Sequence, residues 1–322
     1  LPKLVEVLRK VSKEDPTILV EIDEETGENL ISGMGELHLE VIENRIRTEK
    51  GVDVVTGSPI VVYREAILKT SPEVEGKSPN KHNKFYFILS PLDNKIYEAI
   101  KAGEIPEMRI KKKDDVLVNK LVSLGMETKE ARNIRDIFKG NMLVDSTRGI
   151  VHIGEVIEMI IDAFEQVMKE GPLAKEPGMK MRVDITDCKL HEDTIHRGPA
   201  QVLPAVRDAL REAMMLARAV MFEPLQIIQI ESPAEFMGEI SKLIGNKRGQ
   251  LLEMEQVDDH ITVQAKLPVA EIFGFTSDLR SATTGRGNHF LVDQVFEKIP
   301  EELQQKVIIG IRKRKGLPIE TK

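Results

Sequence analysis

A short polar segment near the middle of the chain carries the side chains best suited to chemistry: His191, Asp193, His196 and Arg197. An imidazole can act as a general acid or base near neutral pH, and a nearby carboxylate can orient it. Imidazole is also a common metal ligand, and an arginine can donate two hydrogen bonds to a phosphate. The segment could therefore serve metal binding, acid–base catalysis or recognition of a phosphate-bearing partner.

The spacing of the two histidines argues against a metal site. His191 and His196 are five positions apart, which would place them about 140° apart around a helix and on opposite faces of a strand. Zinc enzymes with the H-E-x-x-H motif use a spacing of four, so that both rings share one helical face. Cys188 is the single cysteine of the chain, so there is no cysteine cluster to supply the other ligands of a metal site. We therefore expect no bound metal, and we expect Cys188 to be a packing residue of a strand.

Catalysis by a histidine base is the second possibility, and a histidine-dependent phosphoesterase is the enzyme that would use it. No nucleophile motif and no phosphate-binding G-x-x-x-x-G-K-[ST] pattern accompanies the histidines, and Gly33-x-Gly35 is too short to indicate a nucleotide site. His38 lies between Leu37 and Leu39 in a helical pattern, which favours a structural role. We expect no catalytic residue and no bound cofactor, with the phosphoesterase as the alternative.

Two regular elements are predicted to position the segment. Residues 181–188 alternate apolar and polar side chains, which is typical of a half-buried strand. A long helix is predicted from Pro199 to Val220, since proline suits the first turn of a helix. An apolar stripe follows that helix at spacings of three and four: Val202, Val206, Leu210, Ala213, Leu216 and Val220. A loop held between rigid elements is a favoured position for functional residues.

Recognition, the third possibility, is supported by a family resemblance. The segment resembles the tip loop of domain IV in archaeal and eukaryotic elongation factor 2, on this motif: His191-x-Asp193-x-x-His196-Arg197-Gly198, followed by Gln201. The resemblance implies that His196 is the residue that is converted to diphthamide. It further implies that the tip contacts the ribosome and tRNA through these residues: His191, Asp193, Arg197, Gly198 and Gln201. His191 is equally consistent with packing inside the loop.

As encoded, the loop is a weak ligand for RNA, because the charged residues from Asp187 to Arg197 sum to −1 with neutral histidines. Diphthamide, as the resemblance implies, would add a quaternary ammonium group to His196. Arg197 could form paired hydrogen bonds with a phosphate, and the N–H groups that open the helix at Pro199 could bind an anion. These contacts would recognise the shape and backbone of A-form RNA rather than its bases.

Two further stretches resemble other domains of the same family. Residues 32–40, Ser-Gly-Met-Gly-Glu-Leu-His-Leu-Glu, together with Val62-Tyr-Arg-Glu65 resemble domain III. Residues 244–249 and 273–280 resemble domain V of elongation factors 2 and G. The order of the three resemblances along the chain predicts domains III, IV and V of an archaeal elongation factor 2.

The expected fold class is α+β, with two ferredoxin-like βαββαβ domains flanking a domain that is similar to domain 2 of ribosomal protein S5. The first ferredoxin-like domain is expected at 1–69, truncated at its N-terminus because the chain begins at a helix. The middle domain is expected at 70–222 and carries the tip loop. The second ferredoxin-like domain is expected at 223–300. A helix and basic tail at 301–322 complete the chain and could pack back on the middle domain.

Composition limits the remaining possibilities. The chain has 322 residues, 41% of them hydrophobic, which suffices for two or three domain cores. No apolar run approaches the roughly 18–20 residues that span a membrane, and a single cysteine fits a reducing cytoplasm. The net charge of −7 argues against non-specific binding to nucleic acid. Any contact with RNA must therefore be local.

The resemblance also implies an activity and partners. The intact protein would promote GTP-dependent translocation of tRNA and mRNA, with GTP and Mg²⁺ bound by a G domain outside this chain, so that this chain itself is not an enzyme. The implied partners are the ribosome, its rRNA, and the tRNA–mRNA duplex in the decoding site. Diphthamide-synthesis enzymes and ADP-ribosylating toxins would act on His196, and the protein would be a cytoplasmic monomer. A paralogous ribosome-associated factor without the modification is an alternative.

Several local predictions remain open to the structure. Strands are predicted at 52–55 and 60–63, a domain boundary at 70–83, and a helix at 128–138. The basic clusters at 111–113 and 312–315 each have two interpretations. Lys111 to Lys113 could be a solvated face or an RNA patch, and Arg312 to Lys315 could stabilise a helix end or contact rRNA.

Overall fold

A computed structural model describes residues 2–22, 29–33, 36–57, 60–111, 114–147, 150 and 153–319. Two of the sequence predictions include residues outside these ranges. They are Gly35 of the Gly33-x-Gly35 pair, and Lys112 and Lys113 of the basic cluster at 111–113.

The first domain packs two helices on a two-stranded antiparallel sheet. Its elements are α1 (Pro2–Glu14), β1 (Leu19–Ile22), β2 (Asn29–Ser32) and α2 (Glu36–Thr48). Residues with apolar spacing on the two helices fill the core together with Ile18 of the connection: Val7, Leu8, Val11, Ile42 and Ile46. The predictions of strands at 52–55 and 60–63 are wrong, because Val52 and Val54 pack on this core from an irregular segment. The strand of this region, β3 (Arg64–Ile67), lies further along and pairs elsewhere.

The middle domain is built on a five-stranded mixed sheet. In chain order its elements are β4 (Val74–Lys77), β5 (Lys84–Pro91), α3 (Asn94–Lys101), α4 (Asp115–Ser123), α5 (Thr128–Ala131), β6 (Ile134–Phe138), β7 (Asn141–Asp145), α6 (Ile153–Lys169), β8 (Met181–Lys189) and α7 (Pro199–Leu216). The strand order is β4-β5-β8-β7-β6. Only the β7–β8 pair is parallel, so the chain between those strands crosses over through α6.

Helices cover both faces of this sheet. Leu143 of β7 faces a core formed with α6 and α7, while Met142 and Val144 of the same strand face a core formed with α3, α4 and α5. Every residue of β7 is buried as a result. Strand β5 places Phe85, Phe87 and Leu89 on the side of α6 and α7. The tip loop therefore leaves a sheet that is fixed on both sides.

The prediction of one helix over 128–138 is wrong. The helix α5 ends at Ala131, and Ile134 to Phe138 form strand β6, which pairs with β7. Burial explains the difference, because Ile134 and Ile137 pack against the helices α3 and α4 from the sheet. The segment at 70–83, predicted as a boundary, contains strand β4 of the same sheet.

The last domain has the βαββαβ order that the sequence predicted. Its elements are β9 (Ala219–Pro233), α8 (Met237–Asn246), β10 (Gln250–Val257), β11 (His260–Pro268), the short α9 (Val269–Ile272), α10 (Phe275–Ala282), β12 (Asn288–Lys298) and α11 (Glu301–Arg314). The strand order β10-β11-β9-β12 is antiparallel throughout. This confirms a ferredoxin-like domain, with α8 and α10 packed on one face.

Strand β9 joins segments that the sequence had assigned to different domains. Residues 219–222, expected in the middle domain, pair with β3, expected in the first domain. The remainder of β9 pairs with β11 and β12. One 15-residue strand therefore runs through both pairings.

The C-terminal helix α11 packs where the middle and last domains meet. Ile308 and Ile311 lie in one buried group with Leu173, Ala174 and Met221. Of the predicted basic cluster, Arg312 donates from Nη1 to the carbonyl of Leu173 at 2.6 Å, and the Nζ of Lys315 lies 2.8 Å from the carboxylate of Glu176. These two cations are therefore engaged in contacts with the 173–176 loop.

Within the part of the chain that the structure describes, no helix is both long and apolar enough to cross a membrane.

Candidate functional site

The tip loop connects β8 to α7 through a single turn of 3-10 helix, Thr194–Arg197. Asp193 begins this turn, since its Oδ1 accepts a hydrogen bond from the backbone N–H of Ile195 at 3.0 Å. The backbone N–H of Asp193 in turn donates to Nδ1 of His191 at 3.1 Å. Asp193, predicted as a contact residue, is exposed and also shapes the loop locally.

Three imidazole rings meet at the tip. The ring centroids of His191 and His196 are 4.5 Å apart, and the ring of His82 lies 4.9 Å from the first and 4.7 Å from the second. The expectation that the two loop histidines diverge is wrong, because the loop between them is a tight turn rather than a long helix or a strand. All three rings contact one another, so we call His82, His191 and His196 the imidazole cluster.

A second loop, residues 78–83 between β4 and β5, holds the tip loop by hydrogen bonds. The buried Asn83 accepts from the backbone N–H of His191 at 3.0 Å and donates to the backbone carbonyl of His196 at 2.7 Å. Asn80 donates to the same carbonyl at 3.2 Å, and its backbone N–H donates to Oε1 of Gln201 at 2.9 Å. The backbone of both loop histidines is therefore fixed from the neighbouring hairpin.

Arg197 is buried, contrary to the exposed phosphate contact expected from the sequence. Its side chain is 3% exposed, and its Nη2 lies 2.8 Å from a carboxylate oxygen of Glu155 near the start of α6. Its Nε and Nη1 are buried and have no hydrogen-bond partner among the residues that the structure describes. In this conformation the guanidinium braces the tip loop against α6 instead of facing solvent.

The other predicted tip residues have distinct positions. Gly198 begins α7 with extended backbone and no side-chain cap, and Gln201 lies in the first turn of that helix. Ile195, which the sequence analysis did not single out, is 81% exposed and is the apolar side chain that the turn presents to solvent beside His196.

The hydrogen bonding of His191 bears on the metal and catalytic possibilities. Because its Nδ1 accepts from Asp193, the remaining proton of the neutral ring lies on Nε2. That nitrogen then has no lone pair for a metal or for accepting a proton. Among the described residues, no group of three or more His, Cys, Asp or Glu side chains is arranged to hold a metal ion.

Two other candidates from the sequence have structural surroundings. Cys188 is buried in the core of the middle domain, and this burial raises the pKa of its thiol to about 12. The Nε2 atom of His38, in α2, lies 2.9 Å from Oδ2 of Asp15, the residue that follows α1. These positions agree with a packing role for Cys188 and a structural role for His38.

His82 and Asn83 are the site residues that the sequence analysis missed. They are 108 or more positions from the tip-loop residues that they contact, and they lie in a polar stretch that indicated a boundary. A histidine within Asn80-Lys-His-Asn83 was the one local signal.

Comparison with known proteins identifies the class. The chain matches the profiles for elongation factor G domain III at residues 1–58, elongation factor G domain IV at 103–218 and the elongation factor G C-terminus at 220–307. Together with the ferredoxin-like topology and the loop at the tip of the middle domain, these matches define the C-terminal domains of a translation elongation factor.

Archaeal proteins named elongation factor 2 are similar to the chain over almost its whole length. Identity is 49% with the Nanoarchaeum equitans protein and 50% with that of Methanocaldococcus jannaschii, each over 99% of this chain, and 50% with that of Pyrococcus horikoshii over 98%. The chain belongs to the elongation factor 2 family. It spans 43–44% of the length of these relatives. The matches favour neither the phosphoesterase nor the paralogous factor.

Proposed function

We propose that the protein to which this chain belongs promotes GTP-dependent translocation of tRNA and mRNA on the ribosome. In this proposal GTP and Mg²⁺ bind outside the region described here, and the middle domain acts as a rigid wedge that reaches the decoding site. The observation that carries the proposal is the imidazole cluster at the end of a domain whose sheet is covered on both faces. A rigid support is what a probe of the decoding site requires.

We also propose that His196 is the diphthamide site. Its ring is half-buried rather than enclosed, so an enzyme can reach it from solvent. Its backbone carbonyl is held by Asn83 and Asn80, which presents the ring in one place. His191, Asp193, Gly198 and Gln201 belong with it to the proposed contact surface for the ribosome and tRNA.

Arg197 has a different role in this proposal from the one expected from the sequence. Since the guanidinium is buried against Glu155, it positions the tip loop and does not itself meet a phosphate. Diphthamide on His196 would then add a positive charge to a loop that carries exposed Glu192 and Asp193.

The proposed partners are the ribosome, rRNA, and the tRNA–mRNA duplex in the decoding site. Diphthamide-synthesis enzymes would modify His196, and ADP-ribosylating toxins would recognise the modified residue. The proposed location is the cytoplasm and the proposed state is a monomer.

Intact mass spectrometry tests the modification. The chain is co-expressed with archaeal diphthamide-synthesis enzymes, and the wild type is expected to gain the diphthamide mass on His196. His196→Ala is expected to abolish this gain, whereas Lys242→Ala, at an exposed residue of α8, retains it. Since the ring of His196 is half-buried, the melting temperature is expected to fall by less than about 3 °C. Modification of another residue, or a much larger fall, would contradict the assignment.

A nucleotide assay tests the location of the GTPase. The purified chain is expected to show no GTP hydrolysis above a buffer control, alone or with ribosomes. Turnover that copurifies with the chain through two chromatographic steps would contradict the proposal.

A further inference from the structure

The loop at 78–83 places a lysine beside the imidazole cluster. Lys81 precedes His82, whose ring contacts those of His191 and His196. The backbone N–H of Lys81 donates to the carbonyl of Ser78 at 2.7 Å, which closes a tight turn. Lys81 has φ +63°, a left-handed conformation that residues other than glycine, asparagine and aspartate rarely adopt. The surrounding hydrogen bonds therefore hold the backbone of Lys81 in a conformation that lysine rarely adopts alone.

Hydrogen bonds on both sides fix the backbone of this lysine relative to the tip loop. Asn83, two residues later, bonds the backbone of both His191 and His196. Asn80, one residue earlier, bonds the carbonyl of His196 and the side chain of Gln201. Anchors on both sides of Lys81 thus attach its turn to the proposed contact surface.

Four other cations of the tip and its supporting strands, within the part of the chain that the structure describes, have partners. Lys77 and Lys84 both pair with the carboxylate of Glu75, at 3.3 and 3.0 Å. Lys189 lies 5.7 Å from the centroid of the Tyr86 ring. Arg197, as described above, is paired with Glu155.

Lys81 differs from all of these cations. It is exposed, and its side chain forms no hydrogen bond, ion pair or contact with an aromatic ring among the residues in the described ranges. A phosphate can therefore bind it without first breaking an existing ion pair. The exposed acids of the tip, Glu192 and Asp193, would repel a phosphate, so an unpaired cation on the facing loop would offset that repulsion.

We propose that Lys81 is the residue of the tip that binds an RNA phosphate, in the place that sequence reasoning gave to Arg197. The partner is the sugar–phosphate backbone of an RNA duplex, recognised by charge and shape. The contact surface of the tip is then formed by two loops, with His82 and Lys81 contributed by the hairpin between β4 and β5. This inference rests on the proposed binding of the tip to the ribosome.

The salt dependence of binding tests the inference. The chain is labelled at its N-terminal amine, and its Kd for purified archaeal ribosomes carrying tRNA and mRNA is measured from 50 to 200 mM KCl at constant Mg²⁺. Each phosphate contact contributes about 0.9 to the slope of log K against log salt concentration. Lys81→Ala is expected to weaken binding about tenfold at the lowest salt and to lower the slope by about 0.9.

Two variants serve as matched controls. Lys77→Ala removes the same charge from the same hairpin, but its cation is already paired, so the slope is expected to stay at the wild-type value. Lys81→Arg keeps the charge and is expected to restore both affinity and slope. Amide hydrogen exchange of residues 190–198 is expected to be the same in Lys81→Ala as in the wild type, because the substitution removes no side-chain hydrogen bond or ion pair seen among the described residues.

The outcomes separate the two proposals. Suppose that the wild type binds, but that Lys81→Ala has the same slope of log K against log salt concentration as the wild type or as Lys77→Ala. The inference about Lys81 is then wrong, while the proposed binding of the tip stands. If wild-type chain shows no salt-dependent binding to these ribosomes, the proposed function fails for this chain and the inference fails with it.

Discussion

At the scale of single residues, the tip depends on polar side chains that are buried and bonded to backbone atoms. Asn83 is fully buried and serves as donor and acceptor for two different loop residues, His191 and His196. The side-chain amide of Asn83 uses both its N–H donor and its oxygen acceptor. This position therefore requires asparagine, since no other side chain of its size offers a donor and an acceptor in that geometry. The conformation of the tip loop is thus set from outside the loop.

Asn83→Asp separates the two functions of this residue. The carboxylate can still accept from the N–H of His191, but it cannot donate to the carbonyl of His196 and would repel it. We expect the free energy of unfolding to fall by about 1–3 kcal/mol. We also expect faster amide exchange around residues 194–198, measured by hydrogen–deuterium exchange and mass spectrometry.

Asn246→Asp, at the exposed end of α8, is the matched control and is expected to leave the exchange of residues 194–198 unchanged. Unaltered exchange at 194–198 in Asn83→Asp would show that the hydrogen bond to His196 does not hold the tip.

The sequence predicted the residues of one loop but not their partners. The motif from His191 to Gln201 lies within one contiguous segment, so spacing and resemblance were sufficient to find it. His82 and Asn83 approach it only because β4 and β5 pair and β5 pairs with β8. Arg197 shows the opposite error, since a charged residue in a polar loop indicates exposure, while burial here depends on Glu155 of another helix.

At the scale of elements, the close approach of β4 to α7 holds the second loop in place. A Cβ built on Gly76 would collide with the backbone oxygen of Ala205 and lie 2.9 Å from Cβ of Ala209. The alternation of buried and exposed residues along β4 places Gly76 on the face toward the helix. The absence of a side chain at Gly76 therefore lets the strand lie directly on the helix.

Gly76→Ala is expected to be destabilising because both collisions involve backbone or a short side chain that cannot move away. We expect a loss of about 1–3 kcal/mol in the free energy of unfolding, measured by urea denaturation. Gly310→Ala is the control, since a Cβ at this position of α11 meets no atom of the described residues within 4 Å and alanine favours a helix by up to about 1 kcal/mol. A stability of Gly76→Ala equal to that of the wild type would mean that β4 can move from α7.

Element type was predictable where periodicity was strong and failed where packing decided it. The helix predicted from Pro199 begins at that residue, but it ends at Leu216 because Arg218 has φ +59° and Ala219 opens β9. The sequence of β6, Ile-Arg-Asp-Ile-Phe, does not alternate strictly between apolar and polar residues, so it gives no clear strand pattern. Pairing with β7 selects the strand. A valine-rich stretch at 52–55 has the composition of a strand but packs as coil on the first domain.

At the scale of the whole molecule, a buried carboxylate lies where the domains meet. Glu65 of β3 accepts backbone N–H bonds from Leu173, Ala174 and Glu176 at 2.8–3.1 Å. Burial raises the pKa of Glu65 to about 7, although these hydrogen bonds oppose the rise. The protonation of Glu65 is therefore coupled to the packing of β3 against the 171–178 segment.

Stability is expected to depend on pH through this group. Because the folded-state pKa lies above the unfolded value of about 4.5, the folded chain binds the extra proton between these values. Glu65 therefore makes its full contribution to the free energy of unfolding below about pH 4.5, and this contribution is lost as the pH rises through about 7. We expect the difference in unfolding free energy between wild type and Glu65→Gln to fall by on the order of 3 kcal/mol from pH 4.5 to pH 8, measured by urea denaturation.

Asp136 provides the comparison, because burial and the charge of Glu165 raise its pKa to about 7 as well. It lies in β6, away from the 171–178 segment in sequence. The pH-dependent difference between wild type and Glu65→Gln is expected to persist in an Asp136→Asn background. A difference that is constant with pH would show that Glu65 has an ordinary pKa in the folded chain.

The direct succession of α7 and β9 has a mechanical consequence. The helix starts at the tip and extends about 27 Å at 1.5 Å per residue, and only Ala217 and Arg218 separate it from the strand. A force applied at the imidazole cluster would compress α7 along its axis. It would then act as shear on the hydrogen bonds between β9 and its neighbouring strands. Because only these two residues separate the helix from the strand, a displacement of the tip is expected to be transmitted to the sheet of the last domain.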